Sequence, residues 1–188
     1  QDRIDGFSFD NQTGVMTRIN GAPFNISAST YGYIFSTNNK YMYEQYIYSN
    51  QFASIPIGLD GKFINSSKVY IDSGVDMVAT GASPMHYTVF ESYLYVVSGA
   101  NNGISRYHII NDGEKLISAN YYSVDNLDYK FDFQPLRMTS YNGRIYVTDS
   151  GNNINVFSIG KDYRLTQIQK INCGGVIGRT PVFTYPGY

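Results

Sequence analysis

The segment Tyr93–Val96, with the sequence YLYV, decides the fold because related segments occur on both sides of it at nearly the same spacing. Arg144–Val147 (RIYV) follows it by 51 residues, counted from 93 to 144, and Tyr41–Glu44 (YMYE) precedes it by 52, counted from 41 to 93. A fixed period of about 40 to 50 residues is typical of propellers and other repeat arrays. The spacing therefore predicts three copies of one unit, with Tyr95 and Tyr146 at matching places.

A second strand-like segment follows each copy after about ten residues. These segments are Phe52–Ile57, Ile104–Ile109 and Ile154–Ile159, and Ile4–Phe9 fits the same slot. Clusters of Gly, Asn and Asp between the segments supply the positive φ angles of tight hairpins. A composition of 19 Tyr, 11 Phe and 18 Gly suits strands separated by turns. The pattern predicts a four-stranded antiparallel meander, with strands labelled a to d in chain order.

The flanking sequence predicts the other two strands of the unit, a and d. Strand a follows a proline, as in Pro84–Phe90 and Pro135–Tyr141, and strand d is predicted at Leu116–Val124 and Leu165–Ile171. We therefore expect one all-β domain over 1–188, built from propeller blades and forming a partial propeller or part of a larger or oligomeric one. The predicted blades are 3–20 (strands c and d only), 29–72, 84–124, 135–171 and 180–188 (first strand only).

Composition excludes several classes of function. Fourteen basic and fifteen acidic residues give a net charge of -1 without a basic run, so nucleic acid is not an expected partner. No apolar stretch approaches the roughly 20 residues of a membrane span, and any export signal is expected to have been removed already. The single cysteine, Cys173, excludes an internal disulfide and is read as a half-buried, unreactive thiol beside a turn.

Several tracts of the chain resemble the seven-bladed propellers of the lactonase and YVTN-repeat type. The first is I-D-G-F-S-F-D at 4–10, with T-G-V-M at 13–16 and N-G-A-P-F at 20–24. The others are Pro84-Met85-His86 followed by Tyr93–Val96, and Pro135-Leu136-Arg137 followed by G-R-I-Y-V-T-D at 143–149. Turns between strands a and b depart from the usual Pro-Asp-Gly. The resemblance implies the fold more strongly than the chemistry, since scaffold proteins and enzymes share these positions.

The resemblance places two candidate catalytic residues, His86 and Arg137, in equivalent slots near the channel mouth. A neutral His86 imidazole there would take a proton from water attacking a lactone carbonyl, and Arg137 would orient a carboxylate or phosphate substituent. The alternatives are structural. His86 would bind the backbone of a neighbouring blade, and Arg137 would form an inter-blade ion pair with an acid such as Asp132.

Other polar residues are expected to be structural. Asp149 is predicted to cap the turn that follows it, and the same task is expected of five further aspartates, Asp5, Asp10, Asp60, Asp112 and Asp162. His108 is read as a strand residue. With two His and one Cys, and without carboxylates at the spacing of a calcium loop, we expect no metal site and no cofactor.

Two functions remain open. The favoured one is a non-catalytic propeller module, exported to the periplasm, cell surface or medium, that binds a protein or glycan or self-associates through open blade edges. The other is a metal-independent, lactonase-like hydrolase acting on a sugar-derived lactone. An incomplete ring exposes strand edges and blade faces, so we expect further blades in a longer chain, a partner chain, or a second copy to cover them.

Overall fold

Antiparallel sheets form nearly all of the regular structure, which confirms the predicted fold class. The computed structural model describes residues 3–25, 30–46, 51–72, 84–98, 102–118 and 129–175. None of the helices within these residues is long and apolar enough to cross a membrane.

The N-terminal segment contains four short strands. They are β1 (Arg3–Ile4), β2 (Phe7–Phe9), β3 (Met16–Arg18) and β4 (Phe24–Asn25). Strands β2 and β3 form an antiparallel hairpin, here called the N-terminal hairpin, in which Phe9 pairs with Met16. Strand β1 pairs instead with β4. The predicted strand over Ile4–Phe9 is thus interrupted at Asp5 and Gly6, where the Gly6 backbone lies close to the side chains of Ile19 and Phe24.

Three larger sheets follow, and each has four strands in consecutive order. Blade 1 contains β5 (Thr30–Phe35), β6 (Tyr41–Tyr46), β7 (Gln51–Pro56) and β8 (Val69–Asp72). Blade 2 contains β9 (Pro84–Phe90), β10 (Tyr93–Ser98), β11 (Gly103–Ile110) and β12 (Lys115–Ser118), with β13 (Tyr129–Lys130) added. Blade 3 contains β14 (Pro135–Tyr141), β15 (Arg144–Asp149), β16 (Asn153–Ile159) and β17 (Leu165–Asn172).

The fourth strand of blade 2 differs from the prediction of a single strand over Leu116–Val124. Strand β12 ends at Ser118, which pairs with Tyr107. The next part of the β11 edge, Gly103–Ile104, pairs with β13 instead. The outer edge of β11 is therefore shared by two short strands. Residues 119–128, and the predicted strand at 180–188, lie outside the described residues.

Strand alternation puts two apolar layers between the blades, because successive side chains of a strand point to opposite faces. Leu94 and Val96 pack with Tyr43 of blade 1. Tyr95 and Val97 pack with Met138, among other residues of blade 3. Residues 94–97 of strand β10 are fully buried as a result. This packing explains the apolar and tyrosine-rich sequence of β10, since this strand contacts both blade 1 and blade 3.

Equivalent tyrosines also bind adjacent blades through their hydroxyl groups. Tyr43 Oη donates to Gly113 O at 2.8 Å, and Tyr95 Oη donates to Tyr163 O at 2.7 Å. Both acceptors lie in the turn between strands c and d of the next blade. Tyr95 and Tyr146 occupy matching strands, since Tyr95 pairs with Thr88 and Tyr146 pairs with Thr139.

The first strands of neighbouring blades also contact each other. Thr88 Oγ1 of β9 and Ser140 Oγ of β14 are 2.9 Å apart. Ser140 Oγ additionally donates to Val89 O at 3.3 Å. Strands β9 and β14 therefore lie side by side at the inner edges of blades 2 and 3, which is the arrangement that brings candidate residues of different blades together.

Candidate functional site

His86 and Arg137 occupy matching positions in adjacent inner strands. Each is the third residue of its strand, in β9 and β14 respectively. The ladder pairs His86 with Val97 and Arg137 with Thr148. The topology thus places both candidates near the same end of two neighbouring strands, as the repeat arithmetic predicts. Their catalytic roles remain predictions.

Arg137 is half-buried and its guanidinium bonds locally. Its Nη1 donates to Leu136 O at 2.8 Å, and Thr148 Oγ1 donates to the carbonyl oxygen of Arg137 at 3.5 Å. Asp132, the ion-pair partner considered from the sequence, pairs with Lys170 at 3.0 Å. The backbone contact with Leu136 helps to hold the Arg137 guanidinium at the beginning of β14.

Asp149 caps its turn as predicted, and it also accepts hydrogen bonds from a network of amides that was not predicted from the sequence. Its Oδ1 accepts bonds from Gly151 N at 2.9 Å and Asn153 N at 3.1 Å. Its Oδ2 accepts a bond from Asn155 Nδ2 at 2.8 Å. Asp149 is 2% exposed, so these amide dipoles replace the water that it would otherwise bind. The clue in the sequence is the Asn153-x-Asn155 alternation, which puts both amides on one face of β16.

The other aspartates divide between caps and cross-links. Asp10, Asp60 and Asp162 each accept a backbone N–H bond two residues downstream, as predicted. Asp5 instead pairs with Arg18. Asp112 contacts blade 1 rather than capping its turn, because Asn38 Nδ2 and Lys40 Nζ both donate to its carboxylate.

Two smaller expectations have different outcomes. His108 lies in β11 as predicted, where its ring stacks on Tyr93 with centroids 4.8 Å apart. Cys173 was expected to be half-buried, but it is exposed, since it follows β17 beyond the packed part of blade 3. Within the described part of the chain, the search for three or more His, Cys, Asp or Glu side chains grouped as metal ligands finds none.

A surface cleft of about 270 Å³ lies where the turns of blades 1 and 2 meet, and is here called the junction cleft. Its lining comes from the turn after β5, the turn after β9 and the end of β11 with its following turn. The lining residues are Ser36, Thr37, Asn38, Glu91, Ser92, Ile109, Asp112 and Gly113. The cleft lies at the C-terminal end of β9, whereas His86 lies near its N-terminal end. The two sites are therefore on opposite faces of the propeller.

The charges beside the junction cleft are coupled across the blades. The hydrogen bond from Lys40 holds the pKa of Asp112 below its usual value, and the same bond raises the pKa of Lys40. Glu91 Oε2 accepts a bond from Tyr163 Oη at 2.8 Å, and this bond raises the pKa of Tyr163. The Asp112 carboxylate of the lining is consequently charged at neutral pH.

The N-terminal hairpin presents a second candidate surface, which is apolar. Phe9 pairs with Met16, and Phe7 shares their face because it lies two residues before Phe9. These side chains are 65%, 63% and 47% exposed respectively. Two-stranded hairpins are marginally stable in water on their own. The hairpin therefore presents an exposed apolar face of three large side chains.

Solved structures show the same fold at low sequence identity. A periplasmic gluconolactonase from Pseudomonas aeruginosa, PpgL, superposes with a TM-score of 0.64 at 11% identity, covering 91% of this chain and 48% of its own. A protein of unknown function from Desulfotomaculum acetoxidans gives 0.64 at 16%, covering 93% and 51%. A candidate 6-phosphogluconolactonase from Bacteroides uniformis gives 0.60 at 18%, covering 90% and 50%.

This chain shares the lactonase-like β-propeller fold of these proteins. It spans about half the length of each of them. Comparison with protein-family models and with curated proteins finds no match. Because identities under 20% show the fold alone, the activity of this chain has to be argued from its own residues.

Proposed function

We propose that this chain is a non-catalytic, exported propeller module that binds a protein or glycan ligand and associates with itself through open blade edges. The exposed apolar face of the N-terminal hairpin supports this most directly. Its phenylalanines are large, lie on a two-stranded element and face solvent. Another β-element added to this hairpin would bury both the face and the strand edge.

The internal bonding of the chain supports a scaffold role. The fully buried carboxylate of Glu44 is bonded by Lys68, and Asp149 is bonded by two asparagine amides. Glu44 occupies the repeat position that Val96 and Val147 occupy in blades 2 and 3. Its ion pair with Lys68 therefore compensates a charge that is buried between the sheets. Both buried carboxylates are thus used in bonds within the protein that stabilise its blades.

Sedimentation velocity tests the self-association. The wild-type chain at micromolar concentration should sediment as a dimer or larger species. The double variant Phe9→Ser/Met16→Ser should be shifted toward monomer, because it replaces two exposed apolar side chains. A matched control is Ser8→Ala/Thr17→Ala on the opposite face of the same hairpin, which should leave association unchanged. A wild-type chain that is well folded and strictly monomeric would contradict the proposal.

A lactonase-like hydrolase is the second candidate, and the register of the inner strands favours it. His86 and Arg137 stand at the same position of adjacent strands, as a base and a substrate clamp from neighbouring blades would. In this reaction His86 would accept a proton from the attacking water. Arg137 would bind a carboxylate or phosphate group of the lactone. No metal or cofactor enters this scheme.

A further inference from the structure

The two junctions between the blades differ at one equivalent turn position. Tyr43 bonds to Gly113 O at the first junction and Tyr95 bonds to Tyr163 O at the second, so Gly113 and Tyr163 correspond. Gly113 carries no side chain and has a φ of +108°. The second junction therefore receives the ring of Tyr163, whereas at the first the ring of Tyr41 packs against Gly113, where an added Cβ atom would lie 2.7 Å from Tyr41 Cδ2.

The side chain of Tyr163 shows what the second junction accommodates. Its ring stacks on Tyr93 with centroids 4.3 Å apart and an interplanar angle of 28°. Its hydroxyl donates to the Glu91 carboxylate at 2.8 Å. A six-membered ring carrying a hydroxyl group thus fits between two blades of this protein, with a carboxylate as its hydrogen-bond acceptor.

The junction cleft lies beside Gly113 at the first junction, and the same Glu91 that binds the Tyr163 hydroxyl also lines it. We infer that this cleft binds a neutral hexopyranose residue of a glycan. Its volume of about 270 Å³ is just below the range of about 300 to 1,000 Å³ typical of drug-sized ligand pockets, which suits one sugar ring. This inference rests on the proposed binding function and names the ligand class for one site.

The lining favours sugar hydroxyls over a second phenol ring. Ile109 supplies its one aliphatic side chain, and hydroxyl, amide and carboxylate groups supply the rest. Glu91 uses one acceptor position for Tyr163, and an ionised carboxylate offers about four. Neighbouring hydroxyls of a hexose can occupy the remaining positions while a C–H face of the ring packs on Ile109.

The charged side chains of the junction cleft favour a neutral ligand. The Asp112 carboxylate is already paired with Lys40, and Asn38 Nδ2 donates to the same carboxylate at 2.9 Å. Glu91 would repel an anionic sugar, such as a sugar phosphate or uronate. The cleft is therefore distinct in chemistry, as well as in position, from the lactone site considered at His86 and Arg137.

Isothermal titration with methyl glycosides of glucose, galactose and mannose tests the site. The wild-type chain should bind at least one of them with a millimolar Kd. Ser92→Tyr should fill the cleft and weaken binding by at least about tenfold, as a steric block must. Ser150→Tyr, which places the same ring on an exposed turn at the other end of blade 3, should bind like the wild type.

Misfolding of Ser92→Tyr would also abolish binding, so a second variant that preserves the fold is tested. Glu91→Gln keeps the size of the side chain and an acceptor for Tyr163, and should weaken sugar binding severalfold without changing the urea midpoint. Binding that is unaffected by both variants, or absent in a folded wild-type chain, overturns the site. A chain that binds no sugar yet associates in sedimentation leaves the proposed module standing without this ligand.

Discussion

The hydroxyl of Tyr95 donates a hydrogen bond to the carbonyl oxygen of Tyr163, 2.7 Å away, across the contact between blades 2 and 3. Tyr43 makes the same bond to Gly113 across blades 1 and 2. Each tyrosine is buried among apolar side chains of its own and the next blade. The repeat therefore specifies both the apolar packing and one fixed polar contact per junction.

Tyr95→Phe should lower the free energy of unfolding by about 1 kcal/mol, because the variant keeps the ring and loses one hydrogen bond. Urea unfolding followed by circular dichroism measures the change. Tyr33→Phe, at a 46% exposed position, is the control and should change stability by less than about 0.5 kcal/mol. Equal effects in the two variants would show that the inter-blade bond contributes nothing specific.

Gly113→Ala should destabilise the chain by about 2 kcal/mol or more. A Cβ atom there would lie 2.7 Å from Tyr41 Cδ2, on a backbone with φ of +108°. Gly143→Ala is a matched control with a φ of +70° and no atom within 4 Å, so it tests the backbone conformation without the clash. A Gly113→Ala variant no less stable than Gly143→Ala would refute the close contact between the blades.

Asp149→Ala should lower the free energy of unfolding by about 2 to 4 kcal/mol, because it removes the carboxylate to which the buried amides of Asn153 and Asn155 donate. Asp10→Ala removes an exposed cap of the same chemical type and should cost less than about 1 kcal/mol. Unfolding free energies at pH 7 compare the two. A smaller loss for Asp149→Ala than for Asp10→Ala would contradict the buried network.

Stability at alkaline pH should depend on Tyr43. Burial raises the pKa of its hydroxyl in the folded chain, whereas in the unfolded chain it ionises near pH 10. Its contribution is therefore fully present below pH 10 and is lost as pH rises above that value. The stability gap between wild type and Tyr43→Phe should narrow as pH rises from 10 to 11. A gap of constant size would exclude this linkage.

The sequence is sufficient to predict the strands of the repeat, since Tyr and aliphatic residues alternate at positions packed between two blades. It also predicts Asp149 as a cap, because the carboxylate and the backbone N–H groups that donate to it are close together in the chain. The junction cleft and the Lys40–Asp112 pair depend on residues about 70 positions apart, so local patterns do not reveal them. The division of the outer strand of blade 2 likewise depends on which segment returns to β11.

Hydrolysis of sugar lactones by the wild-type chain and by His86→Ala is the measurement that decides most directly between a binding module and an enzyme. A pH-stat assay on a panel of gluconolactone and phosphorylated or carboxylated sugar lactones measures it, with Arg137→Ala as the second variant. All three proteins should release acid at the uncatalysed rate. Turnover by the wild type that is lost in His86→Ala and reduced for the charged lactones in Arg137→Ala would contradict it.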